Sequence, residues 1–161
     1  MALTKLNSAS MPTDSVIQVK QGGRLTKFES TGDTTFTDCG VSVNITPSST
    51  SSKILITVSG AISNNGSSGQ RMRIRLFRNT TEIGSGTGGS TYNDFIMSLQ
   101  EQVYHMECFS QSHLDEPATT SQINYKIQIA SGSTPNVCIG GRADGTEVSV
   151  PTRITAMEIA G

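Results

Sequence analysis

The chain has 161 residues, about the size of one domain, with 34% hydrophobic residues and a formal net charge of −1. So neutral a balance excludes electrostatic capture by nucleic acid or an anionic membrane surface, and no apolar run is long enough to cross a bilayer. Fourteen Ile and nine Val against seven Leu and eight Ala, with 42 Ser plus Thr and 16 Gly, weigh against helices. β-Branched side chains lose rotamer freedom in a helix and fit a pleated surface.

Residues 1–15 hold Leu3 and Leu6 among polar neighbours, then Pro12, and carry no period. They read as an extended polar arm rather than an export signal, because no apolar core segment is present. Val16 to Gln21 predicts a first strand, broken by Gly22-Gly23. Thr34 to Cys39 is a short polar strand, and Val41 to Ile45 alternates strictly between apolar and small polar residues. Pro47 and the serines to Ser52 form a turn. Lys53 to Ile62 has Ile54, Ile56 and Val58 on one face and Leu55 on the other, the mark of a central strand.

Asn64-Asn65-Gly66 opens a loop to Gly69. Arg71 to Phe77 is the clearest strand, with Met72, Ile74 and Leu76 on one face and Arg71, Arg73 and Arg75 on the other. Arg78-Asn79-Thr80 turns the chain into a short strand at Glu82-Ile83, and Gly84 to Gly89 is a glycine-rich loop. Between Phe95 and Leu114 the period supports a short helix near Ile96–Gln100 and then a strand. Ile123, Tyr125, Ile127 and Ile129 alternate again after the turn at Asp115-Glu116-Pro117. Val137–Ile139, Val148–Val150 and Ile154–Ile159 complete the strands. Eight to ten short strands, with turns about every 8–12 residues, predict a sandwich or barrel. No internal repeat is visible, which argues against propellers and solenoids.

The chemistry-bearing residues are few. Arg71, Arg73 and Arg75, with Arg78 beyond them, put guanidiniums on one strand face, suited to carboxylates or phosphates. They read as a solvated outer face opposite a buried Met-Ile-Leu stripe, as a contact to a partner or a second subunit, or as a ligand site. His105, Cys108 and His113 lie near one another, and Cys39 or Cys138 could join them in space. No Cys-x-x-Cys or His-x-x-x-His pair supports a metal site, and no Cys-His setting supports a nucleophile. The three cysteines read as free thiols of a reducing cytosol. The sequons at Asn44, Asn65 and Asn79 are expected to stay unmodified without secretion. The Gly84–Gly89 loop lacks the Lys and Ser/Thr of a phosphate loop. Eight aromatics and no Trp give no evident stacking platform. The expectation is therefore no catalytic residue, no metal and no cofactor.

Four segments carry a resemblance. They are Leu3-Thr4-Lys5-Leu6-Asn7-Ser8-Ala9-Ser10-Met11-Pro12-Thr13-Asp14-Ser15-Val16-Ile17-Gln18-Val19; Thr35-Phe36-Thr37-Asp38 with Val41 to Ile56; Leu114 to Thr120 with Tyr125 to Gln128; and Ile154 to Ile159. In this order they resemble the jelly-roll structural proteins of tailed bacteriophages, marine and cyanophage-like, found in tail fibres, capsid fibres and decoration proteins. The resemblance implies an all-β, antiparallel β-sandwich of jelly-roll type over residues 16–161, preceded by the extended arm of residues 1–15. It also implies a non-enzymatic virion protein, often a homotrimer, made in the host cytoplasm and displayed on the particle exterior beside other capsid or tail proteins. Leu3, Leu6 and Val16 are the expected anchors of the arm. The arginine row and the His105–His113 stretch have no counterpart in the family pattern. The alternative function is adhesion to a host-surface glycan or protein through loops 64–70 and 84–93. Neither reading involves nucleic acid or membrane insertion.

Overall fold

The computed structural model describes residues 11–30, 34–66, 70–89, 91–100, 105–133, 136–143 and 148–161. Eleven strands follow one another: β1 (Val16–Arg24), β2 (Phe28–Glu29), β3 (Thr37–Ile45), β4 (Lys53–Asn64), β5 (Gln70–Arg78), β6 (Thr81–Ile83), β7 (Ile96–Gln100), β8 (Met106–Asp115), β9 (Ile123–Ser131), β10 (Val137–Ile139) and β11 (Thr152–Ile159). They form two antiparallel sheets. Among the described residues no helix is long and apolar enough to cross a membrane.

The strand order is that of a jelly roll. In the first sheet β8 runs along β4 from Ile54 to Ser63, occupying one edge of that strand. The other edge must then hold both β11, paired with Lys53–Ser59, and β10, paired with Ile62–Asn64. Outside them lie β1, on β11, and β2, on β10. In the second sheet β9 joins β3 to β5, and the free edge of β5 is shared by β7 and β6. Eight strand positions result when β1 and β2, β6 and β7, and β10 and β11 each count as one. Taken in chain order, they lie 1-8-3-6 in one sheet and 2-7-4-5 in the other, which is the double Greek key.

Alternation builds the core. Ile54, Ile56, Val58 and Ile62 of β4 and Ile154 and Ala156 of β11 face Met72, Ile74 and Leu76 of β5 and Ile123, Tyr125, Ile127 and Ile129 of β9. All are essentially inaccessible to solvent. Burying each Ile contributes roughly 1.5–3 kcal/mol, so these rows drive the two sheets together.

Four sequence expectations change. The stretch Ile96–Gln100 is a strand, not a short helix. Five residues cannot sustain a helix alone, and β6 covers only Leu76–Arg78, so the backbone of Gln70–Ile74 takes β7 as its partner. Gly22-Gly23 does not break β1, which runs on to Arg24. A Cβ on Gly22 would collide with the Ser42 carbonyl oxygen, so glycine lets β1 cross closely over β3. Val148–Val150 makes only an isolated bridge, Gly141 to Ser149, and Pro151 beyond it has no N–H for a ladder. Residues 34–36 stay outside the strand, and 37–39 and 41–45 merge into β3 through a bulge. There Gly40, at φ +73°, donates its N–H to Asp38 Oδ1.

One buried carboxylate ties the chain ends to the sandwich. Glu158 of β11 is fully buried and accepts hydrogen bonds from Ser48 N (2.7 Å), Ser48 Oγ (2.6 Å), Ser52 Oγ (2.7 Å) and Gln18 Nε2 (2.6 Å). β1, the β3–β4 turn and β11 therefore meet on one side chain. Beside it Asp14 N donates to Ala160 O and Ala160 N to Ser15 O, both at 2.9 Å. Burial pushes the Glu158 carboxyl up, but the donors from Ser48, Gln18 and Ser52 outweigh it and hold the group below its usual 4.5. A carboxyl depressed in the folded state adds stability above its unfolded pKa, and that stability is lost as pH falls through the folded value. Urea titrations from pH 7 down to pH 3 should show this acid loss in the wild type. Glu158→Gln, less stable at pH 7, should show a visibly flatter acid limb; parallel limbs in the two proteins would contradict the assignment.

Candidate functional site

The sequence singled out the arginine row, and the structure surrounds it with its own partners. Arg71, Arg73 and Arg75 stand on the outward face of β5, opposite the buried Met72, Ile74 and Leu76. The face is not simply solvated, because the chain folds back over it. Arg73 is 7% exposed and grips Asp94 with both arms of its guanidinium, Nε to Oδ2 at 2.7 Å and Nη2 to Oδ1 at 3.0 Å. Arg75 Nε also reaches Asp94 Oδ1, at 3.1 Å, and Arg75 Nη1 pairs with Glu82 at 3.0 Å. The rings of Phe36 and Tyr92 lie 4.8 and 4.7 Å from the Arg73 guanidinium, and Phe36 lies 4.2 Å from that of Arg75. Arg71 stays exposed, its guanidinium 5.1 Å from the Tyr92 ring.

These contacts position the glycine-rich loop. Phe95 is buried and donates its N–H to Ile74 O, while Asn93 exchanges hydrogen bonds with Gly89 across the loop. Asp94, between them, is drawn onto the guanidiniums. Gly86 and Gly88 have only open space around them, so the tip of this loop faces outward. Arg78 turns to the end of the sandwich and binds Asp115, at 2.9 and 3.1 Å, and Asp115 also accepts the Tyr125 hydroxyl at 2.7 Å. Asp94, Phe36 and Tyr92 carry no pattern that marks them in the sequence, since the contacts are long-range.

His105, Cys108 and His113 do not converge. Cys108 stands on the outward face of β8 and is exposed, whereas His113 faces inward, against Gly84. Residues of opposite parity on a strand point to opposite faces, so 108 and 113 separate by geometry alone. Cys39 and Cys138 are buried in different sheets, and burial pushes each thiol up to about 11. Among the described residues no group of three His, Cys, Asp or Glu could hold a metal ion. Of the arm anchors, Leu3 and Leu6 lie outside the described residues. Val16, at the start of β1, is 50% exposed.

Two surface features were not evident in the sequence. The first is a seam of about 420 Å³ where β7 and β8 line the open side of the sandwich, walled by Ile62, Ile96, Phe109 and Cys108. Ser98 Oγ and Glu107 Oε2 are buried in its lining, and neither has a hydrogen-bond partner among the described residues. Glu107 faces inward because it sits opposite Ile62, and Phe109, Gln111 and His113 follow on the same side. The second feature is an apolar band on the outward face of the first sheet. Register aligns Val16 with Ile159, and Val19 with Met157, Leu55 and Leu114, across all four strand positions. Val19 is 55% and Leu114 46% exposed.

No protein-family model and no curated protein matches the chain. Among solved structures it is similar to "Structure of infectious bursal disease virus Gx strain", with a TM-score of 0.45 and 12% identity over 92% of this chain. It is also similar to a mutant VP2 protein of infectious bursal disease virus from derived T=1 particles, with a TM-score of 0.46 and 11% identity, again over 92%. The chain spans 38% and 37% of those two chains.

The ion pairs on β5 separate two classes of arginine. Removing the Asp94 charge leaves the Arg73 guanidinium buried without a counter-charge, so Asp94→Asn should cost about 3 kcal/mol of unfolding free energy. Arg71→Ala gives up an exposed contact with one ring and should cost under about 1 kcal/mol. Urea denaturation of both variants checks the order; equal losses would show that the pairing with Asp94 does not hold the loop.

Proposed function

We propose that the chain is a non-enzymatic structural protein of a tailed-phage virion, displayed on the particle exterior as a decoration, head-fibre or tail-fibre module and assembled as a homotrimer. The observation that carries the reading is where the four phage-like segments fall. Leu3 to Val19 leads into β1; Thr35 to Ile56 is β3, the serine turn and the start of β4; Leu114 to Gln128 joins β8 to β9; and Ile154 to Ile159 is β11. All four therefore meet the first sheet or the strands beside it, within a jelly-roll strand order.

In this reading residues 1–15 dock the module to another virion protein, with Leu3, Leu6 and Val16 as anchors. The segment ends at the Asp14–Ala160 and Ser15–Ala160 hydrogen bonds, beside the exposed Val16. Many copies on one particle add avidity, so weak individual contacts suffice. Deleting residues 2–14 should abolish incorporation into particles while the purified module keeps its β-sheet circular dichroism and cooperative unfolding. Particles that take up the truncated protein normally would overturn the docking role.

A second reading, adhesion to a host-surface glycan or protein, is favoured by the β7–β8 seam. Two acceptors without a partner among the described residues, Ser98 Oγ and Glu107 Oε2, lie beside Phe109 and suit a donor-rich ligand with an apolar face, such as a sugar. The outward tip of the Gly84–Gly89 loop adds a second exposed element. If adhesion is the role, purified protein should block phage adsorption to host cells, and Phe109→Ala should weaken the block by about tenfold. A purified protein that competes no better than buffer removes this reading.

A further inference from the structure

We propose that the outward face of the first sheet is the contact between copies of this chain, with the apolar band at its centre. The inference rests on the homo-oligomer reading above and names the surface that reading leaves open. The band is Val16, Val19, Leu55, Leu114, Met157 and Ile159, held in register on β1, β11, β4 and β8. Strand alternation turns all six away from the core, so no residue of the sandwich interior covers them. A contiguous apolar stripe across a whole sheet is a feature that monomers seldom expose.

Three observations point to a second copy as the occupant. The first is charge. Below the band the face continues as Gln21, Thr155, Thr57 and Ser112, whose polar groups already bond one another, Gln21 Nε2 to Thr155 Oγ1 and Thr57 Oγ to Ser112 Oγ. The next row adds Arg153, at the far end from the band, so the surface around the band itself holds little like charge to repel its own copy.

The second is the rim. Lys53, half-buried beside Ile159, and the exposed Glu116 stand at the edge of the band, 3.3 Å apart. Both signs at one place are self-complementary, so each copy can offer Lys53 to its neighbour's Glu116, as a closed symmetric contact requires. The third is area. Four strands about 4.8 Å apart and eight residues at about 3.3 Å give roughly 500 Å² in projection, so two copies supply on the order of 1,000 Å², the floor for a specific interface.

The test uses the full chain and two double variants of exposed residues. Sedimentation velocity over a concentration series should show the wild type as a closed oligomer. Val19→Glu with Leu114→Glu should raise its dissociation constant at least tenfold, on the order of the loss expected for burying charge at an apolar contact. Met97→Glu with Leu99→Glu, on the β7 edge, should leave it unchanged. Circular dichroism and thermal unfolding establish that each variant is folded. Dissociation by the band pair alone supports the proposal, whether the oligomer is a dimer or a trimer; any other pattern, or a monomeric wild type, overturns it. A dimer would correct the trimer and keep the face. Failure of the truncated chain to incorporate is read on particles, so the two readings fail separately.

Discussion

The burial of one face of β4 against the second sheet is the contact on which the other arrangements depend. Ile54, Ile56, Val58 and Ile62 have no exposure, so β4 cannot slip by one residue without turning all four to solvent. With its face and register set, both of its edges need backbone partners. β8 pairs with ten of its residues on one side, and β11 and β10 divide the other. The strands that pair with these in turn, β1 and β2, are placed by the same ladder. A long central strand thus dictates the first sheet.

The outward surfaces follow from that register and differ in kind. On the second sheet the chain covers most of its own charges: Arg73, Arg75 and Arg78 of β5 are paired with Asp94, Glu82 and Asp115, Phe36 and Tyr92 flank the Asp94 pair, and Arg71 stays exposed. Those contacts hold a loop that glycine alone would leave loose, because a bidentate pair sealed by two rings is worth more than exposed charges of the same sign. On the first sheet the outward face carries Lys53 and Arg153 and an apolar band whose Val16, Val19 and Leu114 are about half exposed among the described residues. The two outward faces thus differ: one pairs most of its charges within the molecule, and the other exposes the apolar band.

The inward side of β8 departs from the usual pattern in a way that bears on function. Opposite the isoleucines of β4 it presents Asp115, His113, Gln111, Phe109 and Glu107, while Leu114 and Cys108 point outward. Polar residues can face inward here because β8 is an edge strand and its inner face opens on the seam. Asp115, the deepest of them, is satisfied by Arg78 and Tyr125. Glu107 Oε2 at the other end has no partner among the described residues, and a buried acceptor without a donor costs free energy. The seam with its inward polar residues carries the adhesion proposal, as the exposed apolar band carries the proposal of self-association.

Composition and alternation determined the β class, the strands from Arg71 to Phe77 and from Ile123 to Ile129, the central place of Lys53–Ile62 and the core rows, because period-two burial is a local property of each strand. The jelly-roll type came from resemblance, and the strand order 1-8-3-6 and 2-7-4-5 shows it in the pairings. What only the tertiary structure decided is long-range. Asp94 lies 21 residues from Arg73, and Glu158 lies 110 from Ser48, so no local pattern marks either pair. Ile96–Gln100 became a strand because a free edge of β5 was waiting for it. The apolar band is the sharpest case: each of its residues looks like an ordinary exposed hydrophobe in sequence, and only the register of four strands, distant in the chain, puts them side by side.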